Sequence, residues 1–309
     1  MKRSPFVLAA LCVIAVGGCS HVGVKSLDSA RPARSSGIVI GAFNFSESAL
    51  LAQLYGQALT ARGFEVRILD AGAPREVLEP ALEQGVVDLV VEYQGTIARW
   101  LGFDSATASV SPRATHRRLQ GLLAERGLRA LDFAAAENKN EVVVTKGTAT
   151  EYDLRTVSDL APVAGDLGFA GPPECPARPL CLEGLEAVYG LRFEFFQPLD
   201  AGGPLTVSAL RGGEVDVALM FTTDPAIGEN DLVVLEDDRR LQPAENIVPV
   251  VSNATILRHG PALVEALNGV SERLSPQALK GLNRQIAAGT SPQDAAHAWL
   301  NSQGLGPPR

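Results

Sequence analysis

The sequence predicts an α/β protein of two similar lobes facing each other across a cleft. Three observations predict it. The chain repeats itself: Leu69-Asp70-Ala71-Gly72 recurs as Leu199-Asp200-Ala201-Gly202, and Ala81, Leu82, Gly85, Val87 and Asp88 recur as Ala209, Leu210, Gly213, Val215 and Asp216. The offset is 130 residues in the first block and 128 in the second, so one loop is two residues shorter. Strand-length apolar runs alternate with helical periods through both copies, which implies parallel sheets of βαβ units. The length of 309 residues suits two domains better than one. Convergence is the competing explanation, because A-L-x-x-G-x-V-D is a common helix-turn-strand phrase. The shared LDAG block and near-constant offset favour a true repeat. Corresponding strand ends then face the cleft from opposite sides, Tyr93 across from Phe221. In open α/β sheets ligands bind beyond the carboxyl ends of the strands.

The elements follow in order. Lys2 and Arg3 precede the apolar stretch 6–16 and Val16-Gly17-Gly18-Cys19. This is a secretory signal, too short for a spanning helix, which needs about 20 apolar residues. The small residues before Cys19 resemble a lipobox, which implies cleavage of a leader at 1–18 and lipidation of Cys19. An ordinary signal peptide and an uncleaved anchor are the alternatives. Residues 19–37 read as a polar tether with Gly and Pro and no apolar period. A short apolar run at 38–42 reads as a strand. A helix to about Arg62 follows, capped by Asn44 or Ser46 and ended by Gly63. The spacing then predicts a strand at 66–69, a helix at 75–84 and a strand at 89–91. Ser111-Pro112 starts a helix to about 126, with Ser as cap and Pro at its first position. A strand at 142–145 opens the second lobe, and Phe169-Ala170-Gly171 is the counterpart of Ile40-Gly41. A helix at 182–189, strand at 193–198, helix at 204–211 and strands at 215–221, 232–235 and 247–251 complete the pattern. Two helices close the chain, with capped starts at Ser275-Pro276 and Ser291-Pro292. They lack a lobe of their own and dock on the first. The expected division is 38–140 with 247–306 for lobe 1 and 141–246 for lobe 2, with the chain crossing the hinge twice.

Composition narrows the partners. The chain carries 27 Lys and Arg against 35 Asp and Glu, a net charge of −8. Two of the cations, Lys2 and Arg3, lie in the leader, so the mature chain is more acidic still. Nucleic-acid binding rests on phosphate neutralisation by Lys and Arg, so no nucleic-acid partner is expected. Of four cysteines, Cys12 lies in the leader and Cys19 is the lipidation site. Cys175 and Cys181 remain, within PPECPARPLC. An exported chain can oxidise them, and so short a loop would gain about 2.4 kcal/mol in the chain-entropy picture. Two free thiols are the alternative. A C-x5-C spacing is not a zinc spacing, and His21, His116, His259 and His297 are scattered, so neither metal nor cofactor is expected.

The stretches IVIGAFNFSES, ALEQGVVDLVVEYQGT, GPPECPARPLCLEGLEAVYGL, GEVDVALMFTTD, DLVVLEDD and NIVPVVSN follow one another in an order and spacing that resemble a known family. It is the osmoprotectant-binding proteins of ABC importers, the ProX or OpuAC-like group that takes glycine betaine, carnitine, choline or proline betaine. The resemblance spans about 38–304. It implies a type II periplasmic-binding-protein fold, α/β with two lobes, a hinge and an interlobe cleft. It implies capture of a small solute between closing lobes, delivery to an ABC permease, a monomer, and a place on the outer face of the cell membrane. A quaternary ammonium cannot donate conventional hydrogen bonds, so ring faces bind it by cation–π attraction. The family's pattern is altered here. Val90 stands where a second Tyr is usual, Val207 where another Tyr is usual, Phe43 where a Lys is common and Arg75 where a Thr is common. The cage is thinned, and glycine betaine is the family default.

Candidate ligand contacts are Tyr93 at the end of a strand and Phe43 or Phe45 and Asn44 in the first strand–helix loop. Arg75 at a helix start and Arg178 in the cysteine loop are candidate carboxylate forks. Asn140 lies at the hinge, Thr206 lies before a helix, and Phe221, Thr222, Thr223 and Asp224 end the repeated strand. Each has a plain structural alternative: a Tyr hydroxyl bonded across a turn, a Phe stapling a helix, an Arg in solvent. Tyr55, Trp100 and Trp299 read as packing residues. The second functional reading is a binding lipoprotein for another small solute, an amino acid or polar aromatic compound. The third, an enzyme on this scaffold, has no Ser/His/Asp or Cys/His order and no phosphate loop behind it.

Overall fold

The structure, a computed structural model, describes residues 37–103, 111–228 and 231–306, with Asp70 and Ala71 in backbone only. The leader, Cys19 and the tether as far as residue 36 lie outside the described residues. The elements run β1 (Ile38–Phe43), α1 (Ser46–Ala61), β2 (Val66–Ala73), α2 (Arg75–Glu83), β3 (Leu89–Tyr93), α3 (Gln94–Trp100), α4 (Pro112–Ala124) and β4 (Leu128–Ala130). The second sheet's part runs β5 (Asn140–Thr145), α5 (Lys146–Glu151), β6 (Gly168–Gly171), α6 (Leu182–Gly184), β7 (Phe195–Pro198), α7 (Pro204–Gly212), β8 (Val217–Phe221) and β9 (Leu232–Leu235). The chain then returns as β10 (Ile247–Ser252), α8 (Asn253–His259), α9 (Pro261–Arg273), α10 (Pro276–Ala287) and α11 (Pro292–Ser302).

The repeat is structural. Strand order is β2-β1-β3-β10-β4 in one sheet and β7-β6-β8-β5-β9 in the other, the same pattern position by position. In each, a strand arriving from the other half runs antiparallel beside the repeated strand: β10 beside β3, and β5 beside β8. The repeated Asp explains itself. The Asp88 N–H donates to Val39 O at 2.7 Å, and the Val39 N–H donates to Asp88 Oδ2 at 2.9 Å. The Asp216 N–H donates to Gly168 O at 3.0 Å, and the Gly168 N–H donates to Asp216 Oδ2 at 2.9 Å. Each Asp thus clamps the start of its strand to the first strand of its repeat, β1 or β6. Gly85 and Gly213 sit in the left-handed region at φ 69° and 70°, where a side chain would be strained. They end α2 and α7 in the same way: the N–H of Val86 reaches Ala81 O, and that of Glu214 reaches Ala209 O.

Helices cover both faces of the first sheet, so its strands bury side chains on both sides. One core joins β1 and β3 to α1, α9, α10 and α11 through Leu51, Leu54, Leu267, Leu279 and Leu300, with Tyr55 fully buried in it and Trp299 packed against it. The other joins the opposite face to α2, α3 and α4 through Leu82, Ile97 and Leu119. Val90 lies in that second core, away from solvent. Two further cores flank the second sheet.

Several expectations need correction. Four helices, not two, close the chain: α8 and α9 lead from β10 into α10 and α11. Neither Asn44 nor Ser46 caps α1. Phe45 is the cap residue and offers no side-chain bond, while Ser48 Oγ accepts from the Phe43 N–H at 2.8 Å. The 182–189 helix relaxes after Gly184 into a wider π-turn. Short α3, α5 and β4 are additional elements.

Candidate functional site

The carboxyl ends of β1, β3, β6 and β8 converge between the sheets. There they enclose a cavity of about 250 Å3, close to the small end of the usual ligand-pocket range of roughly 300–1,000 Å3. From the first sheet's side come Phe43 at the end of β1, Asn44 and Phe45 in the turn after it, Arg75 and Glu76 at the start of α2, and Tyr93 at the end of β3. Thr96, Arg99 and Trp100 come from α3. The second sheet contributes Phe221 and the loop carrying Arg178, and the crossing segment contributes Asn138 and Asn140.

The rings form a group. Phe45 lies 6.1 Å from Tyr93, 5.7 Å from Phe221 and 6.1 Å from Phe43, so it joins the two repeat-related strand ends. The Tyr93 hydroxyl points away from the cavity and donates to Glu47 at 2.7 Å. Burial, then Glu47, hold that hydroxyl well above its usual pKa.

The charges are largely committed. Arg75 donates from Nε and Nη2 to the two oxygens of Glu92, both at 2.9 Å, and its guanidinium lies 4.7 Å from the centre of the Phe43 ring. Burial opposes its charge, but Glu92, with Glu79 and Glu245 nearby, more than offsets this and raises its pKa. The expectation of Arg75 as an anion clamp is therefore corrected: its fork holds an internal carboxylate. Arg178 bridges to Glu76 at 3.1 Å from the opposite side of the cavity, in a half-exposed pair. Burial pushes the Glu76 carboxyl up, but its own backbone N–H and then Arg178 hold it below its usual value. Cys175 and Cys181 are joined, with Cα atoms 5.2 Å apart, which closes the loop presenting Arg178. Asn140 Nδ2 donates to Leu180 O in that loop at 3.0 Å.

Of the expected contacts, Phe43, Asn44, Arg75, Tyr93, Asn140, Arg178 and Phe221 line the cavity. Four do not. Thr206 is fully buried in the first turn of α7 and donates to Asp200, whose carboxylate caps that helix. Thr222 is spent on the crossing segment, accepting from the Lys139 N–H and donating to Asn138 Oδ1. Thr223 donates to Glu47. Asp224 faces a neighbouring cavity and accepts from the Ala226 N–H. Thr222, Thr223 and Asp224 follow the end of β8 directly, where the chain turns away from the cavity. Trp100 is corrected from packing to lining, with its surface 42% exposed. Its signal was present: Thr96 and Trp100 lie three and seven residues beyond Tyr93, the spacing of one helix face. Without α3 in hand that spacing carries no meaning.

Ring faces, amides and guanidiniums thus meet in one cavity between the two sheets, the kind of lining that a two-lobed solute-binding protein requires. The family described as the substrate-binding domain of ABC-type glycine betaine transport systems matches residues 36–302, and the chain belongs to it. A glycine-betaine-binding protein of Pseudomonas aeruginosa is 27% identical over 311 residues, 97% of this chain and 95% of the relative. A carnitine transport binding protein of Listeria monocytogenes is 25% identical over 256 residues, 80% of each chain. The crystal structure of a glycine betaine/carnitine/choline ABC transporter superposes with a TM-score of 0.64 at 25% identity, covering 87% of this chain and 99% of that one. The fold is the type II periplasmic-binding-protein fold.

Proposed function

We propose that this chain captures a zwitterionic quaternary ammonium solute, a betaine such as glycine betaine or carnitine, and delivers it to a membrane permease. The observation that carries the reading is the sharing of one small cavity by five aromatic side chains and Arg178. Ring faces attract the methylated cation by about 0.5–2 kcal/mol per contact. Arg178 offers its fork to the carboxylate by loosening its half-exposed bridge to Glu76. Choline, which lacks a carboxylate, gains nothing from that fork. Phe43, Phe45, Trp100 and Phe221 take over the faces that missing tyrosines supply elsewhere in the family.

The protein acts by binding, not by catalysis. Lobe 1 (38–140 with 247–306) and lobe 2 (141–246) close about the crossings near Asn140 and Asn246. The mature monomer is held outside the cytoplasm by acylated Cys19. Calorimetry with glycine betaine, carnitine, choline and amino acids tests the ligand: the betaines bind tightest, and Arg178→Ala removes their advantage over choline. Binding of an amino acid with no quaternary ammonium bound would overturn the reading. Radiolabelled palmitate enters the wild-type protein in its host but not Cys19→Ala; absence from both would overturn the anchor.

A further inference from the structure

The cavity is closed on one side by a thin partition. Phe45, Asn138, Ala201 and Phe221 line both it and a second space of about 860 Å3. Beyond the partition that space is bordered by the α7 start, the turn after β8 and α10, including Val207, Ser208, Asn283 and Ile286. Asn138 is fixed in place. Its Nδ2 donates to Glu47 at 2.8 Å, and its Oδ1 accepts from Thr222. Ala201 is small. The bulk of the partition is therefore the Phe45–Phe221 pair, with centroids 5.7 Å apart and planes tilted by 36°.

Phe45 is well placed for this. It is the cap residue of α1, and its carbonyl accepts from the N–H groups of Ser48 and Ala49 at 3.1 and 3.3 Å, so its backbone is pinned. Phe43, two residues earlier, is pinned as well: its N–H donates to the Ser48 hydroxyl at 2.8 Å. The ring has little freedom to step aside through backbone movement.

We propose that Phe45, backed by Phe221, is a specificity-determining residue that limits the length of the bound solute. The ring closes the cavity around a betaine no longer than carnitine and denies a longer chain the adjoining space. This rests on the quaternary-ammonium reading of the site. The adjoining space mixes apolar Val207 and Ile286 with the amide of Asn283 and the hydroxyl of Ser208, so it suits an extended carbon chain with a polar end. An excess methylene against a closed hydrophobic wall costs about tenfold or more in affinity.

The test is calorimetry with trimethylammonium carboxylates of increasing chain length, from glycine betaine upward, on wild type, Phe45→Ala, Phe45→Leu and Tyr93→Ala. Wild type loses about tenfold per methylene beyond a cutoff. Phe45→Ala binds glycine betaine about tenfold more weakly, through the lost ring, but moves the cutoff to longer chains. Phe45→Leu, which keeps the site filled, moves it less and covers the case in which the alanine variant does not fold. Tyr93→Ala weakens all members alike and leaves the cutoff unchanged. An unmoved cutoff in both Phe45 variants overturns the gate while the ligand reading stands. Failure of wild type to bind any member overturns the ligand reading itself.

Discussion

The Tyr93 hydroxyl donates to Glu47 Oε1 at 2.7 Å, and this one carboxylate ties together four separate segments. Asn138 Nδ2 in the crossing donates to it at 2.8 Å, Thr223 Oγ1 beyond β8 at 2.6 Å, and Asn283 Nδ2 on α10 completes the set. Glu47 is buried, yet it also lies in the first turn of α1, where the helix dipole favours a negative charge. The network orients the Tyr93 ring while committing its hydroxyl to Glu47.

Tyr93→Phe therefore loses stability more than affinity. One donor to a buried carboxylate disappears, which costs about 1–3 kcal/mol, while the ring face remains. Tyr93→Ala loses about 1–2 kcal/mol of binding as well, roughly tenfold in affinity. Urea unfolding and calorimetry on the two variants check this. A large affinity loss in Tyr93→Phe would show that the hydroxyl touches the ligand.

Arg75 and Glu92 behave as a unit. Arg75→Met leaves Glu92 buried without its partner and costs about 3–5 kcal/mol of stability. Adding Glu92→Gln removes the stranded charge and recovers much of that loss. A double-mutant cycle in urea measures the coupling. A folded Arg75→Met of normal stability but no ligand binding would restore the role of anion clamp.

Glu245 gives a pH dependence. It accepts from the N–H groups of Gly95 and Thr96 at 3.0 Å each and from Thr96 Oγ1 at 2.6 Å. Burial pushes its carboxyl up to about 7 despite these bonds. An acid whose pKa is higher folded than unfolded contributes stability that is fully present below the unfolded value, about 4.3, and lost as pH rises through 7. Glu245→Gln, fixed in the neutral form, therefore gains on wild type between pH 5 and 8, on the order of 1–3 kcal/mol. A parallel pair of urea-midpoint profiles would contradict it.

Opening the Cys175–Cys181 loop lowers stability by about 2 kcal/mol and weakens betaine binding, because the loop carries Arg178 and Leu180. The loop is also packed closely. A Cβ on Gly184 would meet Pro179 O at 1.9 Å, so glycine is required there. A Cys175→Ala/Cys181→Ala variant with unchanged affinity would separate the loop from the site.

The repeat, the alternation of strands and helices, and the strand-end aromatics Tyr93 and Phe221 were legible because they depend on local pattern. The Asp88 and Asp216 clamps are the same phrase folded twice. Helices α8 and α9 were not, because their burial comes from docking against the first sheet's layer and α1. Thr206 and Thr223 were misplaced for a related reason: a short polar side chain takes the nearest unsatisfied partner, and that partner is known only once the chain has turned.

By itself, the sequence determined the two-lobe α/β plan, the family, the cysteine pair and the general location of the cleft. The plan and the cleft follow from periodicity, spacing and turn residues close together in the chain; the family follows from resemblance, and the cysteines stood as a pair or as two free thiols until the structure joined them. Only the tertiary structure decided which charges are free to meet a ligand. Glu92 lies 17 residues from Arg75, and Glu76 lies 102 residues from Arg178. Pairing energies act through space, so neither partnership leaves a local mark in the sequence.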